Sequence, residues 1–314
     1  MLYDVHTHAI PPQVMRWLQD NHHKVNAQWK KKDPLKAEFL SVNGKWEFEL
    51  KEVFTNQELY LQEQAKAGIS FSLVSAIPQL FLYECEPELT KELASVYNDG
   101  LIDWSGQNPE RLSALATLPL NDPSAAALEL ERVMKCGAKG AIVASSWAGR
   151  GLTESDLTPM WEVANAYSAI IFVHPLLCED QRLRKTMMAN LIGVPWETTI
   201  CATDLLLSGI MERYPKVKVL LAHGGGFFPY QIGRIQTGYE KWTAVSSNIT
   251  ESPRQALCKF WYDSVLWNAD SLQYLVELVG RDRVVPGTDY PFDLCEWPPA
   301  HVGSDGFRSL MNNN

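Results

Sequence analysis

The sequence predicts an α/β fold, a (β/α)8 barrel of the TIM type, on three observations. Eight short apolar segments alternate with helical ones, no Gly-rich phosphate turn follows the first strand, and three widely separated predicted strands end in His or Asp. A doubly wound open sheet would alternate in the same way, but its first turn carries a glycine fingerprint that this chain lacks. The 314 residues suit one barrel domain over 1–314, with no linker, internal repeat or low-complexity tract.

The first strand is expected over 3–8. Side chains alternate along a strand, so His6 and His8 face the same way and offer two imidazoles to one ion. A single zinc takes three or more protein ligands, so the remainder must come from distant strands. An insertion without regular pattern follows over 9–54, carrying Pro11-Pro12, His22-His23 and Lys30-Lys31-Lys32. Such a segment reads as a lid or extra lobe beside the barrel mouth, with the basic run and both histidines on the surface.

The pattern then becomes regular. A helix over 55–66 starts at a Thr55 or Asn56 cap and stops at Gly68, and a buried strand over 71–77 ends at Pro78. Helix 87–107 and strand 112–118 follow. Asp122 caps a helix with Pro123 in its first turn, running to Cys136 and closed by Gly137. Strand 140–145, helix 157–167, strand 168–174 and helix 198–214, halted by Pro215, come next. Strand 216–223, helix 228–241, strand 261–266, helix 270–280 and strand 283–289 complete the alternation.

Hydrophobic residues make up 46% and charged ones 21%, a globular balance, without the roughly 18-residue apolar run that crosses a bilayer. A net charge of −9 opposes nucleic-acid and anionic-membrane partners. Asp4, His6 and His8 interrupt any signal-peptide core. Cys85, Cys136, Cys178, Cys201, Cys258 and Cys295 are scattered with no C-x-x-C pair, the usage of reduced thiols. A cytoplasmic protein is expected.

In a barrel of this kind the working residues sit at the C-terminal strand ends. His174 ends one predicted strand, His223 another, and Asp289 the last. Singly each has an ordinary explanation: a hydrogen-bonded core histidine, a turn residue before Gly224-Gly225-Gly226, and a helix cap before Tyr290-Pro291. Jointly, with His6 and His8, they converge on one barrel mouth.

These residues also carry a resemblance. His6-Thr7-His8, Phe172-Val173-His174-Pro175, Ala222-His223-Gly224-Gly225-Gly226-Phe227-Phe228-Pro229, Gly233-Arg234-Ile235 and Gly287-Thr288-Asp289-Tyr290-Pro291-Phe292 together resemble the amidohydrolase superfamily. Within it they are similar to the α-amino-β-carboxymuconate-ε-semialdehyde decarboxylase branch, which includes resorcylate and carboxyvanillate decarboxylases. The likeness extends to about Phe292 and includes the stretch from Gly193 through Pro195, Trp196 and Glu197 to Thr199.

The resemblance implies one divalent metal ion, zinc or alternatively manganese, held by His6, His8, His174 and Asp289. It makes His223 and Asp289 the catalytic pair, with His223 as the acid/base. Three neutral imidazoles and one carboxylate leave a divalent ion net positive, able to activate water or a substrate oxygen. The function implied is non-oxidative decarboxylation of a small aromatic or enoic carboxylic acid by a homodimer. A metal-dependent hydrolase of an amide, lactone or activated C–C bond uses the same ligands, and a non-catalytic barrel with a binding or assembly role is the third reading.

Two departures qualify the match. Lys51 and Trp242 stand where that branch places two substrate-gripping arginines, one lent by the neighbouring subunit. Lysine lacks the bidentate fork and tryptophan offers a flat apolar face, so a more aromatic, less polyanionic substrate is expected, with Trp297, Trp147 and Phe81 lining its pocket. The second departure is the tail over 293–314, too short for full closing helices, which would expose one apolar flank unless a partner or a shifted C-terminal segment covers it.

Overall fold

The structure, a computed structural model, describes residues 2–35, 37–44 and 47–312. Eight parallel strands form its central sheet: Leu2–His8, Ile69–Ser75, Leu112–Thr117, Gly140–Ala144, Ile170–His174, Lys218–Leu221, Trp261–Asp263 and Val284–Val285. They neighbour one another in chain order, and the ends of the sheet meet. Val5 N donates to Pro286 O at 2.9 Å, His8 N to Tyr290 O at 2.9 Å and Asp289 N to His6 O at 2.7 Å, which closes the barrel. The strands are buried on both faces, as their continuous Val, Ile, Leu and Ala runs require.

The helices between strands are cut where the sequence supplies caps. Asn56 accepts from Leu59 N at the start of Gln57–Lys66, and Asp122 from Ala125 N at the start of Pro123–Lys135. Pro87 opens the long helix Pro87–Gly106, whose Leu93, Tyr97 and Leu101 are buried at helical spacing. Helix Ala269–Val279 starts on an Asn268 cap. No helix among the described residues is long and apolar enough to cross a membrane.

Three expectations need correction. The insertion over 9–54 is not irregular: Pro12–Asp20 is a helix burying Val14, Trp17 and Leu18, and Gln28–Lys30, Phe39–Ser41 and Phe48–Glu49 form an antiparallel sheet. The helix expected over 198–214 begins earlier, with a π-helical turn at Ala189–Gly193 leading into Val194–Leu207. It breaks at left-handed Gly209 before the short helix Ile210–Arg213. The early start is compatible with Pro195, because a first-turn proline forfeits no helical hydrogen bond.

The tail does supply a closing helix, Asp305–Met311. Leu310 is buried, and Phe307 stacks on Tyr3 with ring centroids 3.8 Å apart and lies 5.7 Å from Phe71. The segment therefore covers the foot of the first and second strands. A side chain at Gly306 would come within 2.0 Å of Val284 O, so only glycine allows this approach to the eighth strand.

Candidate metal centre

His6 and His8 project from the first strand into the barrel mouth, and both are fully buried. His174 ends the fifth strand. His223 and Asp289 lie just beyond the sixth and eighth strands, both in left-handed conformation with φ 55° and 62°. That conformation ends a strand and turns the side chain inward, at an energetic cost the surroundings must offset. The imidazole rings of His6, His8 and His174 stand with centroids 5.0 to 5.5 Å apart. Asp289 Oδ1 is 3.2 Å from Nε2 of both His6 and His8, and its Oδ2 is 3.5 Å from His223 Nε2. One ligand atom from each of His6, His174, His223 and Asp289 can be chosen within 4.8 Å of all the others.

The rings are held from behind. His6 Nδ1 meets Asp263 Oδ2 at 2.5 Å, His8 Nδ1 meets Ala76 O at 3.0 Å, and His174 Nδ1 meets Pro175 O at 2.9 Å. Each acceptor takes the Nδ1 proton and leaves the Nε2 lone pair facing the cluster. Nε2 of His174 is buried with no hydrogen-bond partner, and Nε2 of His6 makes no well-aligned hydrogen bond although Asp289 Oδ1 lies 3.2 Å away. Unpartnered buried ring nitrogens beside a buried carboxylate fit a divalent cation of the kind imidazole and carboxylate ligate.

Electrostatics follow from the same packing. Burial opposes charge on His6, but Asp289 and Asp263 together hold its imidazolium up to about 10. Burial lowers His8, and burial with the charges of His6 and His223 takes His174 well below the ordinary imidazole value. Burial pushes Asp289 up, yet His6 and its contacts with His223 and His8 hold it well below the usual carboxylate range. Asp4, on the first strand two residues before His6, is raised to about 7 by burial despite accepting from Thr288 Oγ1 at 2.7 Å.

Loops from three regions surround this cluster. Phe292 lies edge-on to His8 at 5.3 Å, and Phe48 and Phe54 of the insertion pack on Phe292, so the insertion reaches the site. Lys51 donates to Pro291 O at 2.9 Å and pairs with Asp293 at 2.8 Å, beside the loop that follows Asp289. Trp267 stacks on His223 with planes 16° apart, donates from its indole to Leu294 O, and has its backbone N–H on Glu296. The stretch from Gly193 to Thr199 braces the His223 turn: Thr199 Oγ1 accepts from Phe227 N, and a Cβ at Gly226 would meet Pro195 O at 2.1 Å.

Trp242 is 62% exposed at the end of helix Phe228–Lys241, away from these contacts. Phe81 and Trp147 are buried against Tyr83, and Trp297 stacks on Tyr290. The exposed His22 and His23 lie outside the cluster. Sequence reasoning missed Asp263, Trp267 and Glu296. Asp263 had a signal, a carboxylate closing Trp261-Tyr262-Asp263, but the strand expected over 261–266 hid its terminal position; it ends at Asp263.

A family model described as amidohydrolase matches residues 3–307. The chain is 29% identical over 311 residues to the 2-amino-3-carboxymuconate-6-semialdehyde decarboxylase of Dictyostelium discoideum, covering 95% of this chain and 84% of that one. In fold it is similar to the IDCase of Metarhizium anisopliae in apo form, with TM-score 0.81, 22% identity, and 93% and 85% of the two chains covered. It is likewise similar to a dihydroxybenzoic acid decarboxylase from a Polaromonas species with bound manganese and the inhibitor 2-nitroresorcinol. That match has TM-score 0.74 and 23% identity, covering 93% of this chain and 86% of the other.

Proposed function

Because this chain belongs to the amidohydrolase family, we propose that it is a metal-dependent carboxy-lyase that decarboxylates a small aromatic or enoic carboxylic acid without oxidation. The observation that carries this reading is the set of three imidazoles whose Nδ1 atoms are held by outside acceptors, with Nε2 of His6 and His8 3.2 Å from Asp289 and Nε2 of His174 buried without a partner. The similarity to a semialdehyde decarboxylase over 95% of the chain supports decarboxylation over hydrolysis.

His6, His8, His174 and Asp289 would hold the ion, zinc in our reading with manganese the alternative. When bound, the ion supplies Lewis acidity that polarises the substrate. His223 holds a proton at Nε2 at the edge of the cluster and delivers it to the carbon that loses the carboxylate. Asp289 Oδ2 lies 3.5 Å from that nitrogen and keeps the ring oriented. Trp267 covers the other face of His223 and limits the ring to one plane. Phe292 and Phe172 line the cluster with apolar edges, which suits a flat substrate. Lys51, at the mouth, offers one ammonium to a carboxylate if it leaves Asp293.

Trp242, exposed as it is, is assigned to the substrate entrance through a homodimer interface. A cytoplasmic setting agrees with six cysteines that stand as free thiols. The test is release of labelled carbon dioxide from a library of aromatic and enoic acids, with protein loaded with zinc or manganese. Product without carbon dioxide from an amide or lactone panel would replace the decarboxylase reading with a hydrolase.

A further inference from the structure

Asp263 closes the seventh strand fully buried, and its two carboxylate oxygens are engaged by one ring nitrogen and two backbone N–H groups. Oδ2 takes the Nδ1 proton of His6 at 2.5 Å, while Oδ1 accepts from Gly224 N at 2.8 Å and Val265 N at 3.2 Å. Gly224 follows His223 directly, and both residues are left-handed, with φ 59° and 55°. Glycine adopts this conformation freely, but His223 persists in it only where neighbours hold the turn, and Gly224 N is held by this carboxylate.

We propose that Asp263 is a positioning residue that ties the metal centre to the proton donor. One oxygen sets the His6 ring with Nε2 toward the ion, and the other pins the turn that carries His223. This rests on the metal-dependent reading above. The space is closed as well: a Cβ at Gly287 would lie 2.9 Å from His6 Cβ and 3.1 Å from Asp263 Cβ, so the packing leaves little room for the pair to shift.

An amide cannot replace this carboxylate. With its NH2 toward His6, it forces the His6 proton onto Nε2, the atom that faces the ion; with its NH2 toward Gly224 and Val265, it opposes two backbone donors. Asp263→Asn therefore breaks one end directly whichever way it settles, and because a single carboxylate ties the two ends together, the other end shifts with it.

The experiment compares parent and Asp263→Asn by chelator competition for zinc, by ring ¹⁵N spectra of histidine-labelled, zinc-saturated protein, and by far-UV circular dichroism without metal. Zinc affinity should fall about 10–100-fold, the His6 and His223 ring resonances should both move, and the metal-free spectrum should stay native. Ser264→Ala, on a neighbour bonded to Gly287 rather than to the cluster, serves as the packing control and should retain parent values. Parent affinity in Asp263→Asn, a His223 signal that stays in place, or loss of the native metal-free spectrum would each overturn the proposal. The last outcome would mean that the carboxylate holds the fold. A parent that binds zinc yet releases no carbon dioxide, with affinity and both ring signals still altered in Asp263→Asn, would retire the decarboxylase reading and leave the positioning role standing.

Discussion

The two ends of the barrel are built for different work. At the C-terminal end, four histidines, His6, His8, His174 and His223, and two carboxylates, Asp263 and Asp289, are buried together. At the foot, a groove of about 470 Å³ is walled by Phe71, Ile102, Leu112 and Met311, and the nearly buried Lys218 spends its ammonium on Asn312 O at 2.7 Å. Left-handed residues occur at both ends with different uses. Ser168, φ 51°, merely ends helix Thr158–Tyr167, whereas His223, Trp267 and Asp289 place side chains in or on the metal cluster. Strain and buried charge concentrated at one end mark function, while the other end is organised for packing.

Substitutions can break or sharpen that contrast. The largest effect belongs to Asp289→Ala, which removes the carboxylate shared by three imidazoles. Metal content should fall from about one ion per chain to none, and turnover to background; retained metal on elemental analysis would erase the contrast. Next comes His223→Ala, expected to keep the metal and to lose about 10²–10⁴-fold in turnover, and unchanged kcat would remove His223 from the chemistry. At the foot, Leu310→Ala should cost roughly 2–5 kcal/mol of stability in urea unfolding while kcat per folded, metal-loaded protein stays at the parent value. An equal fall in kcat would show that the two ends are not separable.

The mildest probe is pH. His6 has its folded value raised to about 10 against an ordinary 6.5, through Asp289 and Asp263 acting against burial. In metal-free protein its stabilisation is therefore complete below pH 6.5 and is lost as pH climbs through 10. Zinc must displace that proton, so its affinity should strengthen across the same interval. Melting temperatures of metal-free and zinc-loaded protein from pH 6.5 to 10 should diverge steadily, and parallel curves would contradict the assignment.

Much of this was legible because two periodicities are strong. The eight strands were visible as apolar runs, and strand ends pointed to His174, His223 and Asp289 without further help. Strand limits were less accurate, since side-chain hydrophobicity continues past the last ladder hydrogen bond, as at Leu266. Helix Pro12–Asp20 was hidden by its double proline, although Val14, Trp17 and Leu18 carry helical spacing. The support behind the rings was illegible for another reason: Ala76 O and Pro175 O are backbone atoms that every residue owns, and only the fold shows which of them face a histidine.

The hydrogen bonds joining the first and eighth strands have a consequence for biosynthesis. His6 and His8 leave the ribosome some 280 positions before Asp289. Until that segment emerges, the early imidazoles have neither the carboxylate nor the closing strand, and the four-ligand site does not exist. Metal capture in the cell thus cannot precede the synthesis of Asp289, and a nascent chain stalled before that residue should leave zinc or manganese to its competitors.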